Sequence, residues 1–155
     1  MTLDSKKAEY GLLAECVSSL RSIKFSNHLV KLLQSFIDFD CIVILGYRKN
    51  KHPIYLYDSI DTRRELLFQR YLMNSFVHDP FYIALTNYNI EGIYSLKEVI
   101  SDAQEYKDYQ KKFYDETNWQ DEIGLTIRIS ETRWVVIYFG NTTDEKNLPV
   151  SKNTY

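Results

Sequence analysis

The chain has 155 residues, a length that fits one domain able to bury a core without disulfides or metals. Apolar residues make up 45% and charged residues 26%, and the net charge of −2 excludes the basic footprint of a nucleic-acid-binding surface. Two cysteines, Cys16 and Cys41, are too few for a disulfide framework, and their apolar surroundings read as buried, inert thiols.

The N-terminal MTLDSKKAEY lacks the apolar centre of a signal peptide. The longest apolar run, residues 134–139, is far too short to cross a bilayer. The expectation is a cytoplasmic protein with no membrane partner. The 13 tyrosines suit either a half-polar ligand pocket or a plain core whose hydroxyls reach the surface.

Residues 4–23 read as an amphipathic helix, with Leu13, Cys16, Val17, Leu20 and Ile23 at three- and four-residue spacing. Ser26 can cap a second helix that carries Val30, Leu33 and Ile37 on one face. FDCIVILGYR is continuously apolar from Cys41 to Leu45 and reads as a strand covered on both faces. The polar turn at residues 49–51 joins it to a second strand, PIYLY, in a hairpin. Asp61 is placed to cap the helix DTRRELLFQRYLMN, where Leu66, Leu67, Arg70, Tyr71 and Asn74 fall near one another. Asp79-Pro80 then precedes a short helix, FYIALTNY, and Gly92 precedes a short extended piece, Ile93-Tyr94.

SLKE, residues 95–98, has the form of a capping box. It is followed by a helix with SDAQEYKDYQKKFYDE on it, whose aromatic side is Tyr106, Tyr109, Phe113 and Tyr114. In DEIGLTIRI, Ile123, Leu125, Ile127 and Ile129 alternate with Gly124, Thr126 and Arg128, the period of a strand. Residues 130–132 turn the chain into the return strand RWVVIYFG. From Asn141 the sequence is polar and aperiodic, and reads as a tail or linker. Strands joined by short turns pair antiparallel, so the fold class is α+β, with about five strands sandwiched between helices.

The motifs of phosphate-binding loops, dinucleotide-binding turns, serine-nucleophile elbows and zinc-protease helices are missing. His28, His52 and His78 lie on three different elements, with no partner at metal-ligand spacing. The pairs Asp115-Glu116 and Asp121-Glu122 read as a solvated rim or helix caps. The expectation is no enzyme, no catalytic residue, no metal and no cofactor.

Asp79 has two compatible readings. Asp at the N-cap with Pro at the next position starts a helix in any protein. One carboxylate oxygen can cap while the other accepts a hydrogen bond from a ligand.

The spacing around Asp79 resembles the N-terminal signal-binding domain of LuxR-type transcriptional regulators. There the pattern W-x3-Y-x8-D-P is followed by another Trp fifteen residues after the Asp. Asp79-Pro80 matches; the Trp position holds Leu66, the Tyr position holds Arg70 with Tyr71 one residue off, and Tyr94 stands at the second Trp position. Gly124 resembles the glycine before the family's penultimate strand. The likeness runs over residues 25–140 and implies a fold related to GAF and PAS domains.

The resemblance implies a quorum-sensing-like sensor domain over residues 1–140 that binds a small-molecule signal between sheet and helices. Asp79 would be its polar anchor, with Tyr57, Leu66, Arg70, Tyr71, Phe81, Tyr82, Tyr94 and Trp119 around the ligand. Thr126, Arg128 or Tyr138 could add polar contacts from the sheet. Its partners would be a second copy in a homodimer and, through a helix-turn-helix domain absent from these residues, DNA. Residues 141–155 would lead toward that domain. Arg70 would need a partner if it faced the cavity: Asp79 or an anionic ligand. The alternative is a ligand-free interaction or dimerisation module whose pocket is filled by its own aromatics.

Overall fold

The computed structural model describes residues 2–61, 63–117 and 119–142, except the side chains of 113–116. The expected aromatics Phe113 and Tyr114, the acid pair Asp115-Glu116 and the polar tail beyond residue 142 lie outside the described set. The chain divides into two compact units, Met1–Phe39 and Asp40–Tyr155.

The first unit pairs helix α1 (Leu3–Ser18) with α2 (Phe25–Gln34). Helix α1 stops five residues before the periodic pattern does. The Ser19 N–H turns back to the Glu15 and Cys16 carbonyls, and Arg21 takes a left-handed φ of 66°. Of the apolar stripe, Cys16 is buried, whereas Leu13, Val17, Leu20 and Ile23 are exposed. Ser26 does not cap α2, which begins after Lys24 with no side-chain cap.

The second unit is built on one antiparallel sheet of five strands: β1 (Cys41–Arg48), β2 (Ile54–Asp58), β3 (Gly92–Ser95), β4 (Asp121–Ser130) and β5 (Arg133–Asn141). The spatial order is β2-β1-β5-β4-β3. The two hairpins read from the sequence are both present, and β1 and β5 pair between them at the centre. This central position explains the continuous burial of β1 from Cys41 to Tyr47.

Between β2 and β3 lie α3 (Arg64–Leu66), a π-helical turn (Leu67–Tyr71), a 3-10 turn (Ser75–His78) and α4 (Pro80–Tyr88). Asp61 does not cap this run; the residue before α3 is Arg63, with a left-handed φ of 56°. Arg64 instead folds back onto β2, its guanidinium 2.7 Å from the Asp58 carboxylate. Between β3 and β4 stand two helices. The capping box at Ser95 and Glu98 starts α5 (Leu96–Val99), and α6 (Ala103–Thr117) starts anew. Asp102 accepts the Glu105 N–H at 2.7 Å and so caps α6.

One face of the sheet carries Cys41, Val43, Leu45 and Tyr47 of β1 with Trp134, Val136 and Tyr138 of β5, in one apolar cluster with Phe81 and Leu85 of α4 and Trp119. Cross-strand pairing adds Glu122, Gly124 and Thr126 of β4 to this face. Near its start β4 is buried on both faces, Glu122 and Ile123 alike, and its apolar residues emerge only toward its end. Gly124 and Thr126 are buried, whereas Ile127 and Ile129 are exposed. No helix among the described residues is long and apolar enough to cross a membrane.

Candidate functional site

The site is set up by a glycine. Gly124 has no side chain, and the Phe81 ring lies where one would be: a Cβ there would come within 2.5 Å of it. Phe81 also meets the Tyr138 ring edge-on, with centroids 5.5 Å apart. These contacts press the first turn of α4 onto the sheet. Asp79, just before it, is thereby carried into the interior, where it is 4% exposed.

Asp79 does cap α4: its Oδ1 accepts the Phe81 N–H at 2.8 Å, with Pro80 in the first helical position. Its Oδ2 faces the sheet. There it accepts the Tyr71 hydroxyl and, at 3.1 Å, the Tyr138 hydroxyl. The Tyr47 hydroxyl bridges those two phenols, 2.5 Å from Tyr71 and 2.6 Å from Tyr138. Four oxygens thus form a closed ring of four contacts. Burial and the neighbouring Asp79 charge push all three phenols well above their ordinary range, so each keeps its proton. With Asp79 ionised, three protons serve four contacts. Burial raises the Asp79 carboxyl, against the lowering effect of its donors.

A cavity of about 190 Å³ opens beside this ring. Val43 and Leu45 form its floor, Ile60, Leu66, Leu67 and Trp119 its apolar walls. Asp79 and Glu122 lie within it, and Arg63, Arg70, His78 and Lys112, all exposed, stand around it. Glu122 is 5% exposed, not on a solvated rim. It pairs across the sheet with Gly140, and the Trp119 rings occupy the space a Gly140 Cβ would take. The Glu122 Oε2 is buried with no hydrogen-bond partner among the described residues. Burial, then the charges of Asp79 and Asp121, push its carboxyl well above the ordinary range.

Of the residues singled out from the sequence, Asp79, Leu66, Arg70, Tyr71 and Trp119 line the cavity, as does Tyr138. Tyr57, Phe81, Tyr82 and Tyr94 do not. Phe81 and Tyr82 pack in the layer beneath, Tyr82 against Tyr47 and Phe76. Tyr94 donates to the Glu91 carbonyl at 3.3 Å. Thr126 donates to the Gly92 carbonyl at 3.1 Å, and Arg128 is exposed. Glu122 is the residue that sequence reasoning missed. Its signal was there: it shares a strand face with Gly124 and Thr126, two residues apart each time.

The π turn accounts for Tyr71. The Leu72 N–H bonds to the Leu67 carbonyl, five residues back, instead of four. Such a turn takes up one extra residue, the offset by which Tyr71 departs from the W-x3-Y-x8-D-P spacing. Cys41 at the edge of the cluster is an inert thiol, pushed up to about 12 chiefly by burial.

No protein-family model and no curated protein sequence matches the chain. Solved structures do, among them the following two. The VqsR LBD domain from Pseudomonas aeruginosa superposes with a TM-score of 0.72 at 19% identity, over 88% of this chain and 81% of that one. Escherichia coli SdiA superposes with a TM-score of 0.62 at 12% identity, over 95% of this chain and 59% of that one. Both are LuxR-type regulators, and the chain has the fold of their signal-binding domains.

Proposed function

We propose that the chain is the regulatory sensor domain of a LuxR-type transcription factor, binding a small-molecule signal beside Asp79. The observation that carries this reading is the cavity of about 190 Å³, apolar in its walls, with two buried carboxyl groups in it. Its volume suits a ligand of a few carbon atoms better than a long acyl chain. Leu66, Arg70, Tyr71, Asp79 and Trp119 would contact the ligand directly; Phe81, Tyr82, Tyr57 and Tyr94 would support the wall. Occupancy would favour one arrangement of a homodimer over others and so control a linked helix-turn-helix domain.

A second reading is a ligand-free interaction module. It is favoured by one observation: both Asp79 oxygens already have donors, from Phe81, Tyr71 and Tyr138. A thermal-shift screen of small molecules against wild type and Asp79→Asn separates the two. The sensor reading expects compounds that raise the melting temperature of wild type, and a ligand anchored by Asp79 loses that effect in Asp79→Asn. A hit whose shift survives Asp79→Asn removes the anchor role; a screen without hits favours the interaction module.

A further inference from the structure

The carboxyl group in want of a partner is not Asp79. Asp79 is capping a helix and closing a ring of tyrosine hydroxyls, with no oxygen left over. Glu122 lies in the same cavity, is 5% exposed, and has Oε2 unpartnered among the described residues. A buried polar atom left without a hydrogen bond costs stability, and natural interiors rarely retain one without a reason. We propose that Glu122 is the primary polar anchor of the cavity and that the ligand it takes is a small amine, entering with its ammonium group inward. This rests on the sensor reading above and names the ligand class for that site.

The size of the cavity agrees. A dry cavity of roughly 150 Å³ holds a benzene molecule. The space here, about 190 Å³, admits one six-membered ring and a one-carbon amine. The apolar walls Ile60, Leu67 and Trp119 suit such a ring. An ammonium beside Glu122 supplies the missing donor and neutralises the charge that Asp79 and Asp121 otherwise make costly.

The cations around the cavity argue for an anionic ligand only if their charge reaches its interior. Arg63, Arg70 and Lys112 are all exposed, so water and salt screen them. Glu122 and Asp79 are buried, where an uncompensated charge counts for far more. Burial, before the charges of Asp79 and Asp121, favours the protonated form of the Glu122 carboxyl. Binding of an ammonium transfers that proton to solvent and leaves a carboxylate–ammonium pair, so charge and atoms balance.

The test uses the full chain and three compounds of one shape: benzylamine, benzyl alcohol and benzoate. Benzylamine is expected to bind most tightly. Glu122→Gln is expected to weaken it about ten- to hundredfold, the range lost with a charge-assisted hydrogen bond, and to leave benzyl alcohol unchanged. Calorimetry of wild type in two buffers of different ionisation enthalpy is expected to read net proton release with benzylamine and none with benzyl alcohol. That second measurement does not depend on the variant folding. Equal benzylamine affinity in wild type and Glu122→Gln, or benzylamine binding without proton release, overturns the proposal. Binding of benzyl alcohol or benzoate in preference to benzylamine overturns the amine class and leaves the sensor reading standing. No binding by any of the three overturns it as well, and the broader screen then decides the sensor reading separately.

Discussion

Tyr138 and Asp79 lie 59 positions apart in the chain, and the phenol of one donates to the carboxyl of the other at 3.1 Å. The contact ties the central strand β5 to the start of α4. Asp79→Ala removes it together with the helix cap and the Tyr71 contact. A lost cap costs about 1 kcal/mol, and a buried hydroxyl left unpaired costs roughly 1–3 kcal/mol. Asp79→Ala is therefore expected to lose about 3–5 kcal/mol of stability in urea, and Tyr138→Phe only about 1–2 kcal/mol. Equal losses from the two variants would mean that the cap and the Tyr71 bond contribute nothing.

The two buried acids set the sign of the pH dependence. Both carboxyls are raised in the folded state, Glu122 from 4.5 and Asp79 from 3.8, chiefly by burial. The folded protein thus binds more protons than the unfolded chain over the interval between ordinary and raised values. The stability they contribute is fully present below the ordinary carboxyl values and is lost as pH rises through the raised ones. Glu122→Gln removes one of the two titrations, so its stability is expected to fall less steeply with rising pH above about 4.5. Urea midpoints from pH 4 to 8 measure this; parallel curves for wild type and variant would show that Glu122 does not titrate in that interval.

The sheet and its hairpins were legible because a central strand and two turns leave strong local marks: CIVIL, the 49–51 turn and the 130–132 turn. Asp79-Pro80 was legible as a cap for the same reason. What was not legible depends on which of several local and cross-strand contacts wins. Asp61 yields to an Arg64–Asp58 pair six residues apart, and Asp102 caps α6 through the Glu105 N–H. The burial of Glu122 was hidden because β4 is covered on both faces near its start, where the apolar Ile123 points away from it. Hydropathy alone does not show that the face of Glu122, Gly124 and Thr126 is buried as well, and the glycine against Phe81 marks it.

That glycine gives a sharp steric prediction. A Cβ at Gly124 would sit 2.5 Å from one Phe81 ring carbon and 2.8 Å from another. The ring is fully buried and held by Tyr138, so it has little room to turn. Gly124→Ala is expected to cost about 1–3 kcal/mol by overpacking. Adding Phe81→Leu should recover part of that loss, giving a coupling of opposite sign in a double-mutant cycle. Additive losses would place the strain somewhere other than the Phe81 ring.

Arg70 and Tyr71 are neighbours in sequence with opposite fates. Arg70 is exposed, and its guanidinium has no hydrogen bond or ion pair among the described residues. Tyr71, at the end of the π turn, reaches Asp79 and Tyr47. The partner of Asp79 is therefore a phenol and not a guanidinium. Exposed substitutions away from special features change stability by no more than about 0.5 kcal/mol, whereas loss of a buried donor costs about 1–2 kcal/mol. Arg70→Gln is expected to stay within the first range and Tyr71→Phe to fall in the second, with the urea midpoint as the measurement. A loss at Arg70→Gln as large as that at Tyr71→Phe would mean that the guanidinium supports the Asp79 ring after all.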